Sequence, residues 1–497
     1  MRSTSAVRAH LDLQQRSRAI LLFILAGGAV LRFYGLSSES FWFDETYSVW
    51  VARHSVAWHI TLSTQRIFPP LYYLLLHFWL ALGSSEFVVR MLSALMGLGS
   101  IVAIYALANR LFDVRVGLLS ALLLAISPLH IWYSQEARMY VLVVALGACS
   151  AYFMLLALRE GRFWHWLIYV LSTAMAMNAH YFALFLVPFQ NIYVLYWLFQ
   201  PSARRGIWRR WLLSQVAVAL LSVIGLAGIF SAESSYWWGL LDTWHGAPTL
   251  GDLTSLVFSF SLGTTVGGPQ VYLGGLLLFG FCAAWSLVAF KGRRVSLSVD
   301  DGLVFSLLYL LVPIGAVFVL SQYRSSWVLR YLFPFLPPYC IIVARGISRM
   351  PGRLAKSLLA GAIVLVSLWP IANIYRYQQK EDWRGSVQYI SAQEQPGDVL
   401  LMVDEDIWIP FEHYYRGSMY HMNVSRAVTD RDFLMARVGL AASSYRRIWL
   451  VLSHTNNLLL KDVLMASRYT ELVSEKHFIN VEVDLFATSP PVVGGSS

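Results

Sequence analysis

Two adjacent carboxylates stand among aromatic side chains just after the first long apolar run. Asp44 and Glu45 lie in the stretch FWFDETYS at 41–48. Aromatic surroundings partly desolvate a carboxylate, which raises its proton affinity and suits it to act as a general base. If a helix begins here, Asp44 can instead cap its N-terminus. For Glu45, the residues leave three roles open: holding a metal, orienting an acceptor or capping the helix.

A second group of charged residues lies in SPLHIWYSQEARMY at 127–140. Glu136 and Arg138 are two residues apart, so on a helix they would point in different directions, and we expect separate partners. The guanidinium fork of Arg138 matches phosphate oxygens, although an interfacial arginine also snorkels to lipid headgroups. Both interpretations of Arg138 are therefore open.

Three further residues near the ends of apolar runs are weaker candidates. Arg90 in EFVVR and Arg330 in WVLRYLFP are phosphate ligands of the same kind as Arg138. His180 in MNAHYF falls at a turn, where it either serves the site or satisfies a local hydrogen bond. The sequence contains no phosphate loop, Rossmann glycine pattern or HExxH motif, so a soluble nucleotide substrate is not indicated.

The composition places these residues in a membrane protein. Of the 497 residues, 57% are hydrophobic and 13% charged, whereas a soluble chain carries about 25% charged residues. The net charge of +10 comes from short clusters between apolar runs, without the basic tail or zinc spacing of a nucleic-acid binder. The three cysteines lie within apolar runs and form neither a disulfide framework nor a metal spacing. The chain is predicted to be a polytopic α-helical membrane protein.

The apolar runs predict about eleven spans. Their ranges are 18–36, 86–108, 116–130, 139–158, 163–179, 181–199, 211–230, 271–290, 302–321, 328–345 and 357–375. Basic residues concentrate in alternate connections, which the positive-inside rule assigns to the cytoplasm. This predicts a cytoplasmic N-terminus and, with an odd number of spans, a C-terminus on the outer side.

Two long connections and a C-terminal domain are predicted on that outer side. The connection 37–85 contains the acidic pair and PPLYYLLLHFWLAL at 69–82, which is too short to span and is predicted to be an interfacial or re-entrant helix. The connection 231–270 is predicted to be a mobile lid. The chain is divided into a membrane domain, 1–375, and an extracytoplasmic α/β domain, 376–497.

Local patterns in the second domain predict its elements. The stretch KEDWRGSVQYISAQ predicts a short helix, and a Pro-Gly turn precedes a strand at 398–403. Further strands are predicted at 446–454 and 478–488. The PPVVGGSS tail is predicted to be disordered.

Five motifs in order give the chain a family resemblance. They are FWFDETYS, PPLYYLLLHFW, EFVVRMLSALMG, SPLHIWYSQEARMY and KEDWRG. Together they resemble bacterial GT-C glycosyltransferases, in the family 39-like branch related to protein mannosyltransferases and to the aminoarabinose transferases of lipid A. The resemblance covers nearly the whole membrane part and the entry to the outer domain.

The resemblance implies a polyprenyl-phosphate-linked sugar as donor, transferred at the outer face of the bacterial inner membrane with inversion. It maps the general base onto Asp44, the neighbouring acid onto Glu45 and the acid of the second juxtamembrane loop onto Glu136. In the aminoarabinose transferases a lysine precedes the proline of the interfacial helix, whereas Phe68 stands there in this chain. The implied donor-phosphate ligands are Arg138, Arg90, Arg330 and Arg66.

Several alternatives are open at this stage. A lipid-linked sugar flippase or transporter would use the same arginines without a base, and a structural membrane component would not explain acids clustered on one side. Glycan, lipid and protein acceptors are all compatible with the residues. A divalent metal among Asp44, Glu45 and Glu136 is compatible with their chemistry, but no ligand spacing requires it.

Overall fold

A computed structural model describes most of the chain in two compact units. The described residues are 2–65, 69–200, 206–231, 246–291, 294–324, 326–377, 379–403, 407–425, 428–453 and 458–489. The membrane unit comprises Met1–Leu36 and Ala52–Arg376, and the sheet unit comprises Ser37–Val51 and Tyr377–Ser497. The grouping therefore assigns the segment with the acidic pair to the C-terminal part, whereas the sequence analysis had assigned it to the membrane domain.

The membrane unit is built from helices joined by short connections. They are α1 (Arg2–Phe33), α3 (Val56–Gln65), α4 (Leu71–Trp79), α5 (Glu86–Leu111), α6 (Val114–Ala125), α7 (Pro128–Ser134), α8 (Tyr140–Glu160), α9 (Phe163–Ala179), α10 (Leu186–Leu198), α11 (Ile207–Ala227), α12 (Leu250–Leu262), α13 (Pro269–Trp285), α14 (Asp301–Leu320), α15 (Leu329–Leu332), α16 (Leu336–Arg349) and α17 (Arg353–Arg376). Short 3-10 segments extend α4, precede α10, follow α11 and join α15 to α16, and the hairpin β1 (Val288–Lys291) and β2 (Arg294–Leu297) follows α13. Helix α5 packs against α6 and α8, and α8 packs against α9.

The predicted class of polytopic helical membrane protein is confirmed. Among the described residues, seven helices are long and apolar enough to cross a membrane, or eight if the bent pair α6–α7 is one span. A helix occupies the core of each predicted span. Helices α9 and α13, at 17 residues each, are slightly shorter than the clear spans.

The span predicted at 116–130 is broken in the structure. Helices α6 and α7 meet at an angle of 61°. Helix α6 ends at Ala125. Ser127 caps α7, because its hydroxyl accepts a hydrogen bond from the amide of His130, and Pro128 occupies the first position of that helix. The apolar composition runs through the break, so hydropathy alone does not reveal it.

The two long connections predicted at 37–85 and 231–270 contain several helices in the described residues. Helix α4 begins after Pro69 and Pro70, and with its 3-10 extension it reaches Leu82, as predicted for the short apolar helix. Helix α3 precedes it. In the predicted lid, α12 occupies 250–262 with a capping box at Thr249 and Asp252, while residues 232–245 lie outside the described part of the chain.

A buried polar network ties α8, α9 and α10 together. The Gln190 side-chain amide donates to Ser150 Oγ at 2.8 Å and accepts from Tyr169 Oη at 2.9 Å. Ser150 Oγ also lies 2.6 Å from Thr173 Oγ1. Such interhelical hydrogen bonds between buried side chains hold membrane helices together.

The sheet unit is a five-stranded mixed sheet with helices on both faces. Its strands are β3 (Asp398–Val403), β4 (Tyr420–Val424), β5 (Arg447–Leu452), β6 (Thr470–Phe478) and β7 (Val481–Thr488), in the order β4-β3-β5-β7-β6. Strand β3 is parallel to β4 and β5, and β7 is antiparallel to β5 and β6. Its helices are α2 (Phe43–Ala52), α18 (Trp383–Gln393), α19 (Trp408–Tyr414), α20 (Arg431–Ser444) and α21 (Leu459–Ala466).

The helices bury both faces of the central strands. Leu434 and Val463 of α20 and α21 pack on one face, and Trp383 and Phe411 of α18 and α19 pack on the other. Strand β3 is buried at all six positions, which accounts for the unbroken apolar run at 399–403. The C-terminal α/β architecture is thus confirmed.

Candidate functional site

In the membrane unit, the segment between α7 and α8 presents Glu136 and Arg138. The two residues are not helical; the Arg138 amide donates a 2.8 Å hydrogen bond to the Glu136 carbonyl. Glu136 is buried, with 3% of its surface exposed, and Arg138 is half-buried. The carbonyl of Arg138 accepts a hydrogen bond from Ser93 Oγ on α5. The backbone therefore holds Glu136 and Arg138 in a tight turn, which the hydrogen bond from Ser93 anchors to α5.

Aromatic rings surround the Arg138 side chain. Its Nη1 donates to the hydroxyl of Tyr73 at 3.5 Å, and its guanidinium carbon lies 5.8 Å from the centre of the Tyr140 ring. The Tyr140 ring in turn lies 5.3 Å from Tyr133. Tyr73 comes from α4, so the short apolar helix contributes directly to the surroundings of Arg138.

Arg330 and His180 lie in the same region. Arg330 lies in the short α15, with its guanidinium carbon 5.6 Å from the Tyr331 ring centre, and that ring lies 5.1 Å from the ring of His180. The Tyr140 ring beside Arg138 lies 5.9 Å from the same His180 ring. The two arginines and the histidine therefore lie along one cluster of tyrosine rings.

His180 also has a local structural role. It ends α9, and its Nδ1 accepts a 3.1 Å hydrogen bond from the amide of Phe182, which caps the following 3-10 helix. Nδ1 is therefore the unprotonated ring nitrogen. A ring stacked on Tyr181 at 4.7 Å and already used as a cap has little freedom to turn toward a substrate.

The remaining predicted arginines are positioned differently. Arg90 is buried on α5, and its Nη1 donates a 2.7 Å hydrogen bond to the carbonyl of Leu36, just after the first span. It thereby fixes the exit of the chain from α1. Arg66, the fourth predicted phosphate ligand, lies outside the described residues.

In the sheet unit, the acidic pair begins helix α2. Asp44 is half-buried in the first turn, and its carbonyl accepts from Ser48 Oγ at 2.9 Å. Glu45 is fully buried: its Oε2 accepts a long, 3.5 Å hydrogen bond from the amide of Trp42 and lies 3.3 Å from Lys380 Nζ. A glutamate at the third position that reaches back to the amide preceding the helix is half of a capping box. Glu45 therefore contributes to capping from within the helix, which is one of the three roles that its sequence left open, whereas Asp44 lies inside the first turn and is not the residue that precedes the helix.

The KEDWRG motif holds this helix in place. The Glu381 carboxylate accepts a 3.2 Å hydrogen bond from the Phe43 amide and another from the indole of Trp383. The Glu381 carbonyl accepts from Ser40 Oγ. The roles of Lys380 and Glu381 could not be predicted from the sequence, because KEDWRG and FWFDETYS are more than 300 residues apart in the chain.

These contacts divide the predicted catalytic acids. Asp44 and Glu45 belong to the sheet unit, and Glu136 belongs to the membrane unit. The Glu45 carboxylate forms an ion pair with Lys380 and accepts an amide hydrogen bond at the start of α2. Because it already has these partners, Glu45 does not fit the role of a cation ligand. In the described part of the chain, one group of three ligand-type side chains is close enough to share an ion, Glu475, His477 and Glu482. It contains none of the predicted site residues, and Lys461 already contacts its two acids.

Neutralising Glu45 is expected to loosen α2. In Glu45→Gln, Lys380 keeps its charge but loses a carboxylate partner in a place where its side chain is 8% exposed. Breaking a buried ion pair costs about 3 to 5 kcal/mol. Hydrogen exchange of the α2 amides in the full-length protein measures this as a lower free energy of local opening.

The double variant Glu45→Gln/Lys380→Met is the matched control. Removing both charges leaves no buried cation without its acid, so the opening free energy should recover by more than half of the loss. Equal exchange protection in the wild type, the single variant and the double variant would contradict a stabilising role for the pair.

Comparison with known proteins places this architecture. Residues 68–227 match the family model described as dolichyl-phosphate-mannose-protein mannosyltransferase. No curated protein matches the chain by sequence. The matched segment carries Arg90, Glu136, Arg138 and His180.

Solved structures match over nearly the whole chain. ArnT from Cupriavidus metallidurans in its apo state aligns with a TM-score of 0.61 at 14% identity, covering 95% of this chain and 98% of that one. The same protein bound to undecaprenyl phosphate gives 0.59 at 15% identity, covering 93% and 97%. The apo oligosaccharyltransferase of Archaeoglobus fulgidus gives 0.55 at 12% identity, covering 88% and 69%. The chain therefore has the GT-C glycosyltransferase fold, which confirms the resemblance drawn from its motifs.

Proposed function

We propose that this protein is an inverting membrane glycosyltransferase that takes a sugar from a polyprenyl-phosphate carrier. The observation that carries the proposal is the GT-C fold over 95% of the chain together with two arginines that lie along one tyrosine cluster of the membrane unit. A structure of the similar ArnT contains undecaprenyl phosphate. A lipid carrier is delivered by the bilayer, so the enzyme needs no nucleotide-binding domain.

The arginines supply the chemistry that such a donor requires. In the transfer, the acceptor hydroxyl oxygen attacks the anomeric carbon, and the bond from that carbon to the phosphate oxygen breaks. The polyprenyl phosphate leaves with the bonding electrons and gains negative charge. Arg138 and Arg330 stabilise that charge, because positioned cations act most strongly where charge develops. The buried Glu136, two residues before Arg138, is the candidate acid of the membrane unit.

Asp44 is the proposed general base. It takes the acceptor proton as the new glycosidic bond forms, and a single displacement inverts the anomeric carbon without a covalent intermediate. Its half-buried side chain, beside a fully buried Glu45 already used as a cap, supports unequal roles for the two acids. Glu45 positions the helix that carries Asp44.

The distribution of basic residues supports an outer-face reaction. Arginines and lysines gather in alternate connections, and the positive-inside rule places these in the cytoplasm. Asp44, Glu136 and Arg138 then belong to the extracytoplasmic side, in a bacterial inner membrane, with the sheet unit outside. The donor sugar is proposed to be a hexose or a pentose, and a glycan, a lipid or a protein can accept it.

Purified protein and a radiolabelled polyprenyl-phosphate sugar test the proposal. Transfer of label to a membrane or cell-envelope acceptor fraction, with release of polyprenyl phosphate, is expected. The runner-up is a flippase for the same lipid, favoured by the same arginines. In sealed proteoliposomes, movement of intact labelled lipid across the bilayer without bond cleavage would establish the flippase and overturn the transferase.

A further inference from the structure

The break between α6 and α7 leaves a helix end inside the membrane unit. The last carbonyls of a helix have no partner within that helix, and burying them without one is costly. Here the end of α6 lies next to the end of α1. A side chain of α1 satisfies carbonyls at the end of α6, and the residue that follows α7 satisfies carbonyls at the end of α1.

Arg32 of α1 serves the end of α6. Its side chain is fully buried; Nη1 donates to the Ala125 carbonyl at 3.0 Å, and Nη2 donates to the Leu124 carbonyl at 3.2 Å. A cation at a helix C-terminus is also favoured by the helix dipole. The guanidinium fits because Gly97 beside it has no side chain. A Cβ at Gly97 would lie 3.1 Å from Arg32 Nε and 2.5 Å from Ser134 Oγ.

His130 of α7 extends the same network. Arg32 Nη2 lies 2.8 Å from His130 Nδ1, and because arginine only donates, Nδ1 accepts. The proton of the neutral ring is then on Nε2, which donates to Ser100 Oγ at 2.8 Å, and that hydroxyl donates to the Gly97 carbonyl at 2.7 Å. The network thus fixes both the tautomer and the orientation of the ring, and with it the angle of α7.

Gln135, which ends α7, serves the end of α1 in return. Its side-chain nitrogen shares two hydrogens among the carbonyls of Leu31, Arg32 and Tyr34, at 3.3, 3.2 and 2.8 Å. The next residue is Glu136, and Arg138 follows two residues later. These hydrogen bonds join the ends of α1, α6 and α7, an arrangement that we call the clamp, immediately before the segment that carries Glu136 and Arg138.

We infer that Arg32, His130 and Gln135 are positioning residues that set the place of Glu136 and Arg138. None of the three needs to touch the substrate. The inference about catalysis rests on the proposed function, whereas the clamp itself rests on the geometry alone. Displacing a catalytic group by about 1 Å can cost about a hundredfold in rate, so loss of the clamp is expected to affect turnover more than folding.

The test compares Gln135→Glu with Gln190→Leu. Gln135→Glu keeps the size of the side chain but replaces its donors with acceptors that face carbonyl oxygens. Hydrogen exchange of the amides at 131–139 should accelerate at least tenfold, and the Kd for undecaprenyl phosphate in nanodiscs should rise about tenfold. Gln190→Leu removes a buried amide of the unrelated network and should lower the melting temperature while leaving both readouts at wild-type values.

Two further measurements separate the possible failures. Arg32→Lys keeps the charge but not the fork, and should shift both readouts in the same direction by a smaller factor. If hydrogen exchange at 131–139 is unchanged in Gln135→Glu, the clamp is overturned, whatever the Kd for undecaprenyl phosphate is. Accelerated exchange with wild-type lipid affinity and wild-type turnover would overturn the positioning role. If the wild type itself binds no undecaprenyl phosphate and transfers no sugar, the proposed function fails, and the exchange arm still decides the clamp.

Discussion

Asp44→Asn is expected to lower the turnover of sugar transfer by about a hundredfold to ten thousandfold, the usual contribution of a general base. An amide of the same size cannot take the acceptor proton. The substitution leaves intact the Ser48 hydrogen bond to the Asp44 carbonyl and the capping contacts of Glu45. The Kd for the donor lipid and the exchange protection of α2 should therefore match the wild type, so that the loss appears in kcat.

Glu39→Gln is the matched control for this change. Glu39 is an acid of the same segment, and its Oε1 accepts from the amide of Gln379, which a glutamine carbonyl oxygen can also do. It should transfer sugar at the wild-type rate. Wild-type turnover in purified Asp44→Asn would remove Asp44 from the mechanism, and an equal loss in Glu39→Gln would attribute the effect to general acidity of the segment.

Arg138→Gln is expected to weaken donor binding. A hydrogen bond to a charged group contributes about 1.5 to 3 kcal/mol, which corresponds to roughly a tenfold to hundredfold rise in Kd for undecaprenyl phosphate. Turnover should fall as well, because the departing phosphate loses a cation. Isothermal titration in nanodiscs gives the first quantity, and saturation kinetics with labelled donor give the second.

Two variants make that result specific. Arg324→Gln removes an exposed arginine of the same unit and should leave the Kd unchanged. Tyr73→Phe removes the hydroxyl that accepts a hydrogen bond from Arg138 but leaves the charge of Arg138 in place. It should therefore raise the Kd by a smaller factor than Arg138→Gln does. A wild-type Kd in Arg138→Gln would assign the phosphate to another residue and would direct the same experiment to Arg330.

Strands of the C-terminal sheet could be predicted from the sequence where they are buried on both faces, and not where they lie at the exposed edges. Strands β3 and β5 were predicted within two residues because their central positions are buried on both faces. Strands β4 and β6 form the edges of the sheet, where the residues alternate or are exposed, and they were not predicted. The segment 478–488 was predicted as one strand, but Ile479 and Asn480 turn the chain between β6 and β7, with Asn480 at a φ of 54°.

For the candidate site, the sequence indicated residue types but not partners. Arg138 was singled out for its chemistry, but the two tyrosines that contact it, Tyr73 and Tyr140, come from α4 and α8, and no local pattern connects them. Arg32 stands at the end of an ordinary apolar helix, where a headgroup contact is the usual expectation. In the structure it is fully buried against another helix end.

Composition and short motifs by themselves determined the class of protein, the succession of apolar helices and the identity of the candidate acids and arginines. Length, hydropathy and ionisable side chains are local properties, so they can be identified from consecutive residues. Tertiary structure alone decided that FWFDETYS is held by KEDWRG and that, of the roles left open for Glu45, it takes the capping one. It also decided that side-chain hydrogen bonds join the ends of α1, α6 and α7 before Glu136. Each of these depends on a hydrogen bond or ion pair whose strength depends on burial and geometry, and those are fixed only when distant segments pack together.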